Sequence, residues 1–210
     1  MLSEYIDKGI YRLKVPFEDI FTTVYGVLGM DGELMFIDSA TYPEDFEEYI
    51  LPFIKELGGG RADYLLLSHS HSDHAGGAKA LSEALPKVKI GASFETGFEN
   101  GFLLKDGDVF LNRLVAVFLP GHSKNSFGFF DLETKTLLSA DCLQLKGIGK
   151  YRSGIGYPLL YKSSIEKLKT MDIERIVAAH EYDPLGSMAV GKEAVKAYLD
   201  ACLEEVKKYF

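Results

Sequence analysis

Sulfur is scarce in this sequence: of 210 residues only Cys142 and Cys202 are cysteines. Two isolated thiols make no disulfide framework, so reduced cysteines and a cytoplasmic protein are expected. Positive charge is also in short supply, with 23 Lys+Arg against 31 Asp+Glu, a formal net charge of -8, and never more than two adjacent basic residues. Nucleic-acid affinity comes chiefly from neutralising phosphates with Lys and Arg, so no nucleic-acid partner is expected. No apolar run approaches the ~20 residues that span a bilayer. The first ten residues mix Glu4, Asp7 and Lys8 with apolar side chains and lack the continuous apolar stretch of a secretory signal. No membrane partner is expected either.

Repeats, low-complexity tracts and linkers are missing too, and a single domain over 1–210 is expected. What is present is the balance of a soluble globular chain, 47% hydrophobic and 26% charged. A chain of this length buries roughly 70% of its unfolded surface, so the core needs no structural metal. Any metal here is expected to be functional.

Periodicity predicts a mixed α/β chain. Thr23–Gly29 and Leu34–Asp38 read as strands joined by a turn containing Asp31-Gly32. Thr41 and Pro43 signal a helix start, Phe46, Tyr49, Ile50, Phe53 and Leu57 recur at helical spacing, and Gly58-Gly59-Gly60 ends the segment. Pro52 should kink or divide this helix. Asp63–Ser68 reads as a strand buried on both faces, followed by a helix from Ala75 to Leu85 and a strand at Val88–Ala92. Arg113–Leu119, Ser126–Asp131 and Thr136–Ala140 read as meander strands. A helix near Ser163–Met171, a strand at Arg175–Ala179 and a helix from about Ser187 to Lys208 complete the reading. Gln144–Pro158 reads as a long loop of the kind that is often functional, and Tyr151, Arg152, Tyr157 and Tyr161 are its candidates for substrate contact.

The chain holds five histidines, His69, His71, His74, His122 and His180, and three fall within six residues. In an extended backbone His69 and His71 point to one side, and a turn at Asp73-His74 brings two more donors to the same point. Imidazole and carboxylate donors suit zinc, iron or manganese, whereas structural zinc sites lean on thiolates. Without clustered cysteine, an open catalytic site is the expectation.

The run His69-x-His71-x-Asp73-His74 after an apolar strand resembles the signature of the metallo-β-lactamase superfamily. The resemblance continues in order along the chain. Thr23–Ala40 is similar to the opening hairpin and its aspartate, Leu119-Pro120-Gly121-His122-Ser123 to the second histidine motif, Ser139-Ala140-Asp141 to the segment of the bridging carboxylate, and Ala179-His180 to the last histidine. It implies a four-layer αββα sandwich. It also implies two divalent metal ions, zinc first with iron or manganese as alternatives, the first held by His69, His71 and His122, the second by Asp73, His74 and His180, with Asp141 bridging. Two departures stand out: Ala140 and Ala179 occupy places where the family commonly has glycine, and alanine does not readily adopt positive φ. Asp141 excludes the cysteine ligand of one group of true β-lactamases, and Cys142 is expected to point away.

The mechanism that follows is hydrolysis by a metal-bound hydroxide, with Asp73 orienting it and Asp141 fixing the metal pair and helping to carry the proton. Asp38 and Ser123 are candidate supports of the ligands. The short chain after His180 leaves no room for a glutathione-gripping helical domain, and the expected substrate is a small molecule with an ester, thioester, lactone or related acyl bond. A mononuclear iron oxygenase resembling persulfide dioxygenases and a non-enzymatic metal-binding protein are the alternatives. A flavodiiron protein is disfavoured, because those proteins usually carry glutamate where this chain has His71.

Overall fold

The computed structural model describes residues 3–145 and 154–210. It divides into two compact units, Met1–Leu104 and Lys105–Phe210. The expected loop contacts Tyr151 and Arg152 lie outside the described residues.

The first unit is a seven-stranded sheet in sequential order. Strands β1 (Ser3–Asp7), β2 (Ile10–Phe17), β3 (Ile20–Leu28) and β4 (Leu34–Ile37) are antiparallel neighbours. The β3–β4 turn contains Asp31-Gly32 as expected, closed by the Gly29 N–H on the Glu33 carbonyl at 2.8 Å. From β4 the pairing turns parallel through β5 (Tyr64–Leu67), β6 (Lys89–Ala92) and β7 (Gly101–Leu103). Parallel neighbours need a crossover.

The first crossover starts with α1 (Pro43–Asp45), passes through a π-helical turn at Phe46–Ile50 and ends with α2 (Leu51–Gly58). Pro52 explains the division: it has no N–H to give and its ring crowds the carbonyl four residues earlier, so the turn before it widens and the Leu51 N–H reaches back to the Phe46 carbonyl. Thr41 does not cap this helix. Instead Asp45 turns back and accepts the N–H groups of Thr41 and Tyr42 at 3.0 and 2.8 Å. Phe53 from α2 meets Phe36 of β4 edge to face at 5.4 Å. These rings join Leu13, Val24, Leu65 and Ile90 in the first core.

The second crossover is two helices rather than the single one expected, α3 (Ser72–Ala75) and α4 (Ala78–Ala84). Gly76-Gly77 parts them.

The second unit is a six-stranded sheet in the order β13-β12-β11-β10-β9-β8. Strands β8 (Val109–Phe110), β9 (Leu114–Phe118), β10 (Phe127–Asp131) and β11 (Thr136–Ala140) form an antiparallel meander. Helix α5 (Pro158–Leu168) precedes β12 (Arg175–Tyr182), which pairs parallel to β11. The segment expected as one long terminal helix is in fact strand β13 (Gly186–Val190), antiparallel to β12, followed by α6 (Lys192–Val206). Leu119, Phe130, Ile165, Ile176, Leu199 and both cysteines share the second core. Burial pushes the Cys202 thiol up to about 12, so it stays protonated. Among the described residues no helix is long and apolar enough to cross a membrane.

Candidate metal centre

In the first unit the donors follow β5. Because β4 and β5 run parallel, the residues leaving their carboxyl ends lie side by side, and Asp38 meets Ser68 there. The Asp38 carboxylate accepts the Ser68 N–H and hydroxyl, each at 2.8 Å, and the His74 Nδ1–H at 2.6 Å. All of these groups are buried. With its proton given to Asp38, the Ser68 hydroxyl accepts from His69 Nδ1 at 3.0 Å. His69 and His74 are thereby held in the same tautomer, with Nδ1 protonated and Nε2 left as the lone-pair atom.

Helix α3 is fastened at both ends of its histidine. The Ser39 N–H and hydroxyl donate to the His74 carbonyl at 2.7 and 3.0 Å, while Asp38 holds the ring. The His69 ring lies 4.5 Å from that of His71 and 4.4 Å from that of His74. His69 and His71 offer ligand atoms within 4.8 Å of each other. Asp73 lies in the first turn of α3 without capping it; its Oδ2 is 3.4 Å from His74 Nε2 and accepts the Thr22 hydroxyl at 3.4 Å.

In the second unit two imidazoles converge on a carboxylate. Asp141 follows β11, His122 follows β9, and His180 lies in β12 just past the point where that strand stops pairing with β11 at Ala140 and Ala178. Asp141 Oδ1 is 3.2 Å from His180 Nε2 and Oδ2 is 3.4 Å from His122 Nε2. His122 Nδ1 donates to the Gly154 carbonyl at 2.7 Å, so this ring too presents Nε2. The Tyr182 hydroxyl donates to Asp141 Oδ1 at 3.1 Å. Burial, and then the Asp141 charge, push that phenol well above the ordinary tyrosine range and keep it a donor.

A bulge aims Asp141. The β11–β12 register slips between Leu138 and Ala140, and Ala140 sits at φ 44°. The reluctance expected of alanine is therefore overridden at Ala140, while Ala179 is not among the positive-φ residues. Cys142 is buried in the second core, as expected. Ser123 differs from expectation: its hydroxyl bonds Asn125 and Ser126 at 2.8 and 2.7 Å and holds its own turn. Tyr161 is fully buried with its hydroxyl on the Gln144 carbonyl, which removes it from the substrate candidates, whereas Tyr157 is exposed. Sequence reasoning named Asp38 but missed Thr22, Ser68, Gln144 and Tyr182 as supports. Only Ser68 carried a signal, its place between the strand and His69.

The donors fit a divalent metal by chemistry. The set is imidazole nitrogen and carboxylate oxygen without thiolate, and three of the five rings are fixed through Nδ1 by partners that are not metals.

A hydroxyacylglutathione hydrolase of Nostoc punctiforme is 31% identical over 173 residues, 75% of this chain and 66% of the relative. One of Pseudomonas savastanoi pv. phaseolicola is 32% identical over 139 residues, 63% of this chain and 53% of the relative. The chain thus spans between about half and two thirds of these relatives. Among solved structures, DIM-1 metallo-beta-lactamase superposes with a TM-score of 0.76 at 14% identity, covering 99% of this chain and 97% of its own. A flavo di-iron protein mutant from Thermotoga maritima reaches 0.75 at 18% identity, covering 98% of this chain and 62% of that one. These likenesses establish the fold. The family model of the metallo-beta-lactamase superfamily matches residues 21–180, the stretch that carries every donor described above, and the chain belongs to that superfamily.

Proposed function

We propose that this chain is a metal-dependent hydrolase of small-molecule acyl bonds, acting as one functional domain over 1–210, with a thioester as the foremost substrate class. Two divalent ions, zinc first with iron or manganese as alternatives, would be held by His69, His71, Asp73, His74, His122, Asp141 and His180. The observation that carries the reading is the shared tautomer of three imidazoles: Asp38, Ser68 and the Gly154 carbonyl each take an Nδ1 proton and leave Nε2 as the lone-pair atom. Rings held in this way are oriented for coordination in advance. The hydroxyacylglutathione of the relatives' name is a thioester, which sets the substrate class in this proposal.

The ions would lower the pKa of water and polarise the acyl carbonyl. The chain's own groups do the rest. Asp73, steadied by Thr22, orients the attacking water, and Asp141 helps to carry its proton. Asp141 stands between His122 and His180 with one oxygen toward each, which supports it as a residue that would hold the ions.

Protein purified without chelators should carry up to two transition-metal ions and hydrolyse acyl thioesters. Asp141→Ala and His180→Ala should each lower activity by roughly 100-fold or more and reduce metal content, with the circular dichroism spectrum unchanged. Metal-free protein that takes up no zinc, iron or manganese would overturn the reading, as would hydrolysis undiminished by exhaustive chelation.

A further inference from the structure

We infer that Gln144 is the positioning residue that holds Asp141 and His122 in a common frame, so that one buried amide sets two ligands of the proposed metal centre. The inference rests on that proposed function, because it assigns a role toward the metal.

Gln144 lies three residues after Asp141 and is 4% exposed. Both ends of its side chain are engaged. Nε2 donates to the Tyr182 hydroxyl and to the Asp141 carbonyl, the latter at 3.3 Å, and Oε1 accepts the Gly154 N–H at 3.3 Å. From there the bonds run on to the ligands: Tyr182 donates to Asp141 Oδ1, and the Gly154 carbonyl accepts from His122 Nδ1. The Gln144 backbone carbonyl is itself pinned by the Tyr161 hydroxyl. One path therefore joins the carboxylate, the phenol, the amide, the N–H and carbonyl of Gly154 on either side of its Cα, and the imidazole.

The direction of each bond follows from its neighbours. A carboxylate accepts only, so Tyr182 must donate to Asp141 and must accept from Gln144; a peptide N–H donates only, so Oε1 faces Gly154. The position demands a donor and an acceptor in one planar group. Glutamate supplies no donor, leucine supplies neither, and asparagine is one methylene short. Gly154 completes the requirement by its lack of a side chain: a Cβ there would stand 2.7 Å from His122 Nδ1 and 3.1 Å from Gln144 Oε1.

The test is zinc titration of the metal-free protein against a chromophoric chelator, with kcat and KM read on a thioester in parallel. Gln144→Leu should weaken one zinc equivalent by about 10- to 100-fold, the usual consequence of losing a ligand's supporting partner. In that variant kcat should fall while KM changes less than about threefold. Gln144→Glu should not rescue either value. Tyr182→Phe removes only the Asp141 arm and should weaken the same equivalent by a smaller factor, which keeps the inference testable if Gln144→Leu does not fold. Parent protein that takes up no zinc overturns this inference together with the proposed function. Parent protein that binds zinc, with folded Gln144→Leu or Tyr182→Phe binding it equally well, overturns this inference alone.

Discussion

Ala140 shows at the level of one residue how placing a ligand competes with backbone comfort. Its φ of 44° costs an L-amino acid roughly 1–2 kcal/mol, and its methyl group is fully buried. Glycine would relieve the strain but lose about 0.8 kcal/mol of burial and gain unfolded-state entropy. Ala140→Gly should therefore leave stability within about 1 kcal/mol of the parent. Ala140→Val adds a β-branch at positive φ inside a filled core and should cost at least about 2 kcal/mol. Urea melts of the two variants check both values; equal melts for parent and valine variant would show that the bulge is not constrained. At this scale the candidate donors were legible in the sequence, because imidazoles and carboxylates announce their chemistry by type and spacing. Gln144, Thr22 and Tyr182 were not, since an amide or hydroxyl becomes a support only through the partner the fold brings to it.

Among the elements, legibility followed context. Strands β3, β4, β5, β6, β9, β10, β11 and β12 were read within a few residues, because each is an apolar run bounded by turn residues. Strand β1 escaped, carrying Glu4 and Asp7 at a sheet edge where polar residues are tolerated. Strand β13 was absorbed into the final helix because Met188, Ala189 and Val195 mimic helical spacing. What separates strand from helix is Gly191, at φ 90° and ψ 153°, a region open essentially to glycine alone. Gly191→Ala should cost about 1–3 kcal/mol in chemical denaturation. A neutral result would mean that the helix can extend backwards through this position.

For the molecule as a whole, the neutral imidazoles that the proposed centre requires set a direction of pH dependence. Protons and metal compete for the same ring nitrogens, so metal would be retained at neutral pH and released in acid. Between pH 7.5 and pH 5, metal content and thioester hydrolysis should fall together by about tenfold or more. Far-ultraviolet circular dichroism should change little, because both cores are built mainly of apolar side chains and burial keeps the Tyr161, Tyr182, Tyr198 and Cys202 side chains protonated across the interval. Metal content that stays flat across this interval would argue against histidine ligation. The acidic composition pointed to none of this; the five histidines did. One further consequence lies in where the donors sit. His69, His122 and Asp141 all follow the carboxyl ends of strands, and His180 lies in β12 just past its pairing with β11. Most donors are thus encoded outside the apolar strand segments, so a lineage can change such a donor at one codon while the apolar residues of both cores stay the same.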